Sequence, residues 1–269
     1  RIISEIEKGI SIEGISHKII YDSIMSSLYL NSGKRWGEKS LLEWTNIPTF
    51  LEMFPSGKTI HIIRDPRDVI ASYKNMTYET GDKYLDAAFN CLDSMQHAYK
   101  YTSSLSEEQY CLVHFEDLVN NRIGEVERIC SFLEIDFDKS LYEENTIKEG
   151  VGEGSVSLTT ASHSSFPDEL GNSFKRWDTK LSKNEIIFVE SILSKMMSKF
   201  GYKPSGLYEN NHLDWLLKIM KDNELINERF VNYLKTGKGV EEFPSDPTDP
   251  KNWSTSTKKQ GKVQGKGAA

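Results

Sequence analysis

The 269-residue chain is poor in cysteine, has no long apolar run and carries no glycine-rich phosphate loop, and each lack narrows what it can be. Its three cysteines, Cys91, Cys111 and Cys130, form no CxxC pair and fall inside apolar segments. They are expected as reduced core thiols, not as a disulfide frame, a zinc site or a nucleophile. Such thiols fit a reducing compartment, so a cytoplasmic location is the expectation. No apolar stretch reaches the roughly 18 residues of a membrane-spanning helix. The six histidines, His17, His61, His97, His114, His163 and His212, show no metal-ligand spacing, and no metal is expected. His61 and His114 lie inside strand-like runs as packed residues, and only His163, in a long loop, is placed to touch a substrate. Positive charge is also short: the net charge of -7 argues against nucleic acid as a partner, so any anionic ligand must be met by local basic groups. There is no Walker A loop. Ser56-Gly57-Lys58-Thr59 ends like one, but Glu52 stands where glycine is needed and a strand follows instead of a helix; Ser32-Gly33-Lys34 fails likewise. A phosphoryl-transferring P-loop kinase is thereby disfavoured. No internal repeat is found, and the chain opens at Arg1 in helical-looking sequence, as a fragment would.

What is present is an ordinary globular composition, 38% apolar and 27% charged, enough for one substantial core. Apolar spacing predicts a helix over 16–30 capped by Ser16, a short strand end and loop at Trp36–Ser40, and two helical pieces over 41–54 divided by Pro48. Thr59–Ile63 reads as a strand. Asp65 then suits an N-cap, Pro66 the first helical position, and Asp68, three past the cap, a carboxylate reaching back to it, giving a helix to about Asn75. A longer helix over 82–104 turns Leu85, Ala88, Phe89, Leu92 and Tyr99 inward. A second strand, Tyr110–Phe115, precedes a helix facing inward through Ile123, Val126, Ile129, Phe132 and Leu133. Crossovers of this length imply an α/β protein with a parallel sheet covered by helices. The aperiodic stretch 150–172 is a long loop of the kind that selects ligands. Ser182 and Glu185 make a capping box for a helix that Gly201 stops. The expected division is a main domain over 1–204, a helical appendage over 205–236, and a disordered tail over 237–269.

The densest chemistry lies in Thr59–Asn75, TIHIIRDPRDVIASYKN, where an arginine ends a strand and a helix begins. Side-chain cation, free N–H groups and helix dipole together suit a phosphate. Arg64 and Ser72 are eight apart, and Ser72 returns to the face of Asp65 about 10 Å further along the axis. A phosphate touching both must lie beside the helix and not on its tip. The alternative is that Arg64 pairs with Asp65, Asp68 or Glu116 in a purely structural cluster.

The run HIIRDPRDVIASY resembles the 3′-phosphate-binding segment of sulfotransferases that use 3′-phosphoadenosine 5′-phosphosulfate (PAPS). Further landmarks follow in that family's order. WGEKS at Trp36–Ser40 resembles the segment that supplies a catalytic side chain, HFEDL at 114–118 the strand usually written YEDL, and FKRW at Phe174–Trp177, with the later FGY at Phe200–Tyr202, the C-terminal end. The resemblance implies a three-layer α/β/α protein with a central parallel sheet, the P-loop-NTPase-like sulfotransferase fold, N-terminally incomplete here. It implies sulfuryl transfer from PAPS to a hydroxyl or amine of a small-molecule or carbohydrate acceptor, no metal, and 3′,5′-ADP as coproduct. Arg64 and Ser72 would hold the 3′-phosphate, with Lys175 or Arg176 closing on it. Glu38 would be the general base and Lys39 would stabilise charge on the sulfuryl group or the leaving phosphate. Phe115 replaces a common tyrosine, keeping packing area near the adenine and losing a hydroxyl. The family's Ser-Gly-Thr-Thr phosphosulfate loop is not found, so the 269 residues alone are expected to be inactive. The rival is a non-catalytic sulfotransferase-like module that binds a nucleotide or serves as a scaffold. Trp177 is read as a packing residue and not as an adenine stacker.

Overall fold

A computed structural model describes residues 2–28, 35–40, 42–76, 81–138 and 176–240. The loop 150–172, with His163, and Lys175 of the candidate site lie outside the described residues, as does 241–269. The chain divides into two units, Arg1–Leu41 with Glu241–Ala269, and Leu42–Val240.

In the first unit two helices, α1 (Ile2–Glu13) and α2 (His17–Leu28), pack against each other. Gly9 permits the approach, since a Cβ there would stand 2.8 Å from Ile19 Cγ2 and 2.9 Å from Ser23 Oγ. The expected Ser16 cap is formed: its hydroxyl accepts the Ile19 N–H at 3.2 Å. Trp36–Ser40 is irregular, without the strand end that its apolar start suggested.

The second unit is built on two parallel strands, β1 (Thr59–Ile63) and β2 (Tyr110–His114), in register from Thr59 opposite Tyr110 to Ile63 opposite His114. Before them come a 3-10 turn, Trp44–Asn46, and α3 (Ile47–Met53), with Pro48 in the first turn of α3 as a residue lacking an N–H prefers. The crossover carries α4 (Pro66–Met76), a second 3-10 turn (Lys83–Asp86) and α5 (Ala87–Ser104). After β2 come α6 (Phe115–Asn120) and α7 (Arg122–Leu133). Phe115 therefore begins a helix instead of ending the strand. Past the undescribed stretch, α8 (Trp177–Lys180), α9 (Lys183–Lys199), α10 (His212–Asp222) and α11 (Glu224–Thr236) complete the unit.

α5 runs beneath both strands and α9 packs on α4 and α5. The core joins Ile63 and Ile70 to Leu85, Phe89 and Leu92 and to Ile186, Phe188, Val189 and Leu193. Phe89 meets Phe188 edge to face at 6.2 Å. The last two helices share this core through Ile219 and Ile226, with Phe230 stacked on Phe188 and Trp215 edge to face with it. Residues 237–240 lie along α5: Gln96 donates to the Gly237 carbonyl at 2.7 Å, and a Cβ on Gly239 would stand 2.1 Å from the Phe89 carbonyl oxygen. All three cysteines are free thiols, Cys111 and Cys130 buried and Cys91 half-buried. Burial, with Asp65 nearby, pushes the Cys91 thiol up to about 12, the setting of an inert thiol. His61 is buried between Tyr110 Oη and Ser94 Oγ, each 2.9 Å from a ring nitrogen.

Two side chains read as inward are exposed: Tyr99 and Ile123. Tyr99 instead lies under Lys199 Nζ, 3.7 Å from its ring centre, while Tyr101 takes the buried position on α5. Among the described residues, no helix is long and apolar enough to cross a membrane.

Candidate functional site

The β1–α4 turn places two arginines and two aspartates within five residues, and the fold separates their tasks. Arg67 is 4% exposed. Its Nε and one terminal nitrogen grip Asp65 at 3.0 and 2.6 Å, and its other terminal nitrogen donates to Glu190 of α9 at 2.7 Å. Burial opposes its charge, but the bonds and charges of Asp65 and Glu190 outweigh that and raise its pKa above the arginine norm. Glu190 also accepts the Ser205 backbone N–H and hydroxyl at 2.8 and 3.0 Å. The Trp177 ring lies on the Arg67 guanidinium at 4.1 Å, so the tryptophan does packing work as expected.

Asp65 does cap α4, accepting the Arg67 N–H at 3.0 Å. The back half of the expected box is filled differently: the Asp65 N–H donates to Glu116 Oε1 at 2.8 Å, and Asp68 Oδ1 accepts the Trp177 N–H at 3.1 Å. The Asp68 N–H goes to the Asp65 carbonyl at 3.0 Å. Pro66 has no N–H to give. The donors at the helix tip are thus spent inside the protein, and three carboxylates already complement its dipole. An anion on the tip is excluded on both counts, which corrects the expectation of free N–H groups there. Only the flank is left.

At that flank Arg64 ends β1, half-buried, with its guanidinium 4.5 Å above the Phe115 ring. Phe115 presents a face to the cation, a role that needs no hydroxyl. Burial lowers the Arg64 pKa, Asp68, Glu116 and Asp65 act against that, and Arg176 lowers it further. The carboxylates together outweigh the smaller opposing charge of Arg176, so the flank is a mixed-charge cluster that includes two arginines. Ser72 is half-buried on α4. Glu116 is held from its other side by Tyr202, whose hydroxyl donates to Oε2 at 2.9 Å. Burial and that carboxylate raise the Tyr202 phenol far above its usual value, so it stays a donor.

Glu38 and Lys39 belong to the first unit, and both are exposed. The Tyr21 hydroxyl on α2 donates to Glu38 Oε2, the Tyr21 ring lies 5.4 Å from that of Trp36, and Ser40 Oγ donates to Glu38 Oε1 at 3.4 Å. α2 thus pins the irregular segment at two points.

An open cavity of about 450 Å³ is lined by Lys74, Gly81, Asp82, Tyr84, Ser182, Glu185 and Trp215, and includes neither Arg64 nor Ser72. One of its two carboxylates is the capping-box residue Glu185, which accepts from Lys74 at 2.8 and 3.0 Å, from the Tyr84 hydroxyl and from the Ser182 N–H. A carboxylate so saturated is a structural cap and not a base. Among the described residues no His, Cys, Asp and Glu gather as metal ligands.

Around the candidate site, sequence singles out Asp68 and Glu116 as possible partners of Arg64, and their charges do act on it. Arg67 and Tyr202 are not singled out as supports: the repeated Arg and Asp types around Pro66 hint at the first, and Tyr202, from distant chain, gives no local signal.

Residues 13–139 match the family model described as the sulfotransferase family. The fold is similar to the solved "Sulfotransferase Domain from the Curacin Biosynthetic Pathway", with a TM-score of 0.50 and 20% identity over 74% of this chain and 78% of that one. No curated protein gives a significant match.

Proposed function

We propose, for a chain whose residues 13–139 match the sulfotransferase family model, that it serves sulfuryl transfer from PAPS to a hydroxyl or amine acceptor. What supports the donor is the Arg64 guanidinium, half-buried on Phe115 beside the α4 flank, with the charge of Arg176 bearing on it. A doubly charged 3′-phosphate suits these two cations, and the hydroxyl of Ser72 suits the same group from α4. The donor site fits the anion at its 3′ end. Lys175, next to Arg176, is a further cation for it.

In the transfer itself, Glu38 takes the proton of the acceptor hydroxyl as the acceptor oxygen bonds to sulfur. The bond between sulfur and the bridging oxygen of the 5′-phosphate breaks, and 3′,5′-ADP leaves. Lys39 offsets the charge that grows on the departing oxygen. The exposure of Glu38 favours a second reading, a module that binds nucleotide without catalysis, because a base in open water gains nothing from desolvation. No Ser-Gly-Thr-Thr turn occurs in the 269 residues, so they are expected to bind the nucleotide without transferring sulfuryl.

Titration calorimetry of the chain with 3′,5′-ADP and with 5′-AMP tests the site. We expect 3′,5′-ADP to bind at least tenfold more tightly, and Arg64→Met to erase most of that preference, as loss of a charged hydrogen bond of about 1.5–3 kcal/mol implies. Equal affinity of the wild type for both nucleotides would refute the donor assignment.

A further inference from the structure

We propose that Asp68 and Arg67 are positioning residues, which clamp Trp177 and so set Arg176 against the 3′-phosphate. The inference rests on the donor site proposed above and adds what holds its second arginine.

Arg176 is the N-cap residue of α8, a helix of only four residues. A single turn does not hold itself, because nucleation costs more than one turn of hydrogen bonds returns. Its carbonyl is used by that turn, accepting from Thr179 at 3.2 Å and Lys180 at 2.9 Å. The position of the turn must come from elsewhere, and two contacts from α4 supply it. Asp68, 2% exposed, accepts the N–H of Trp177, the first helical residue, at 3.1 Å. Arg67 lies 4.1 Å from the centre of the Trp177 ring. Arg67 is itself immobilised by Asp65 and Glu190, so the ring rests on a fixed plate. The residue between the undescribed stretch and this clamp is Arg176, and its charge is felt at Arg64. The buried Asp68 carboxylate thus bears both on Arg64, through its charge, and on the turn that carries Arg176, through the Trp177 N–H, which ties the two arginines to one fixed group.

The test is a double-mutant cycle read as the ratio of 3′,5′-ADP to 5′-AMP affinity, with amide exchange at Trp177 read in the same proteins. Asp68→Ala should lower the ratio about fivefold to tenfold and remove protection of the Trp177 N–H. Asp68→Asn, whose carbonyl still accepts that N–H, should restore most of both. Combined with Arg176→Ala, Asp68→Ala should cause no further loss, since its remaining effect is to remove a carboxylate whose charge reaches Arg64, which favours an anion there. Where Asp68→Ala does not fold, Trp177→Leu, which keeps the N–H and removes the ring from Arg67, must lower the same ratio. A ratio unchanged by Asp68→Ala, or losses that multiply in the double variant, overturns the clamp alone. A wild type that does not discriminate the two nucleotides overturns the donor site, and the clamp with it.

Discussion

At the tip of α4, Asp65 caps the helix, Arg67 closes on Asp65 and Glu190, and Glu116 takes the N–H of Asp65. On its flank, three residues earlier in the chain, Arg64 lies on Phe115 with the charge of Arg176 near it. The two places hold the same residue types around the same strand end. At the tip, cations and carboxylates meet inside the protein, and the helix dipole is answered by its own side chains. At the flank, Arg64 carries the mixed influence of Asp68, Glu116 and Asp65 on one side and of the like charge of Arg176 on the other. A helix N-terminus is therefore an anion site only where the chain leaves its donors open, and here the chain fills them.

The sharpest way to break that comparison is at Arg67. Replacing it by Met leaves Asp65 and Glu190 without their cation, and removal of one partner from a buried ion pair costs about 3–5 kcal/mol. Urea denaturation of Arg67→Met should show a loss of that size. A loss below about 1 kcal/mol would place Arg67 on the surface with ordinary exposed pairs, and the tip would no longer differ from the flank.

The inner face of β1, which carries the chain into both places, is tested by pH. Burial, with a smaller push from His97, lowers the His61 pKa to about 4 from 6.5. Between those values the unfolded chain binds the proton and the folded chain does not. The stability from neutral His61 is thus complete above pH 6.5 and is lost as pH falls toward 4, by about 3 kcal/mol at the low end. His61→Gln should lose less over that range than the wild type. Parallel pH profiles of the two proteins would show that the strand's inner face is open to water.

Much of this framework is legible locally. The β-branched run before Asp65-Pro66 gives β1 and the start of α4, and Ser182 with Glu185 gives the capping box of α9, because each rests on neighbours within four residues. What was not legible is non-local. Asp68 sits where a capping-box acid would, yet its side chain is one methylene shorter than Glu, and Trp177, 109 residues on, uses it instead. Glu116, 51 residues from Asp65, fills the vacated role. Helical period marked Tyr99 and Ile123 as apolar positions but could not say where neighbouring elements would stop covering them. Nor could residue type separate Arg64 from Arg67, since only Asp65 and Glu190 in space assign one of them to the core.

Ser72 gives the smallest and most selective test of the flank. It lies almost two turns along α4 from the tip, outside the Asp65–Arg67–Glu190 set, so its loss should leave that set intact. A neutral hydroxyl bonded to a phosphate contributes about 1 kcal/mol net, which is roughly fivefold in affinity. Ser72→Ala should weaken 3′,5′-ADP by that factor, leave 5′-AMP unchanged and keep the urea midpoint of the wild type. The sign of each readout matters. Equal weakening of both nucleotides would move the contact from the 3′-phosphate to the part they share. A lowered midpoint with unchanged affinities would confine the Ser72 hydroxyl to a role within the fold and remove it from the nucleotide site.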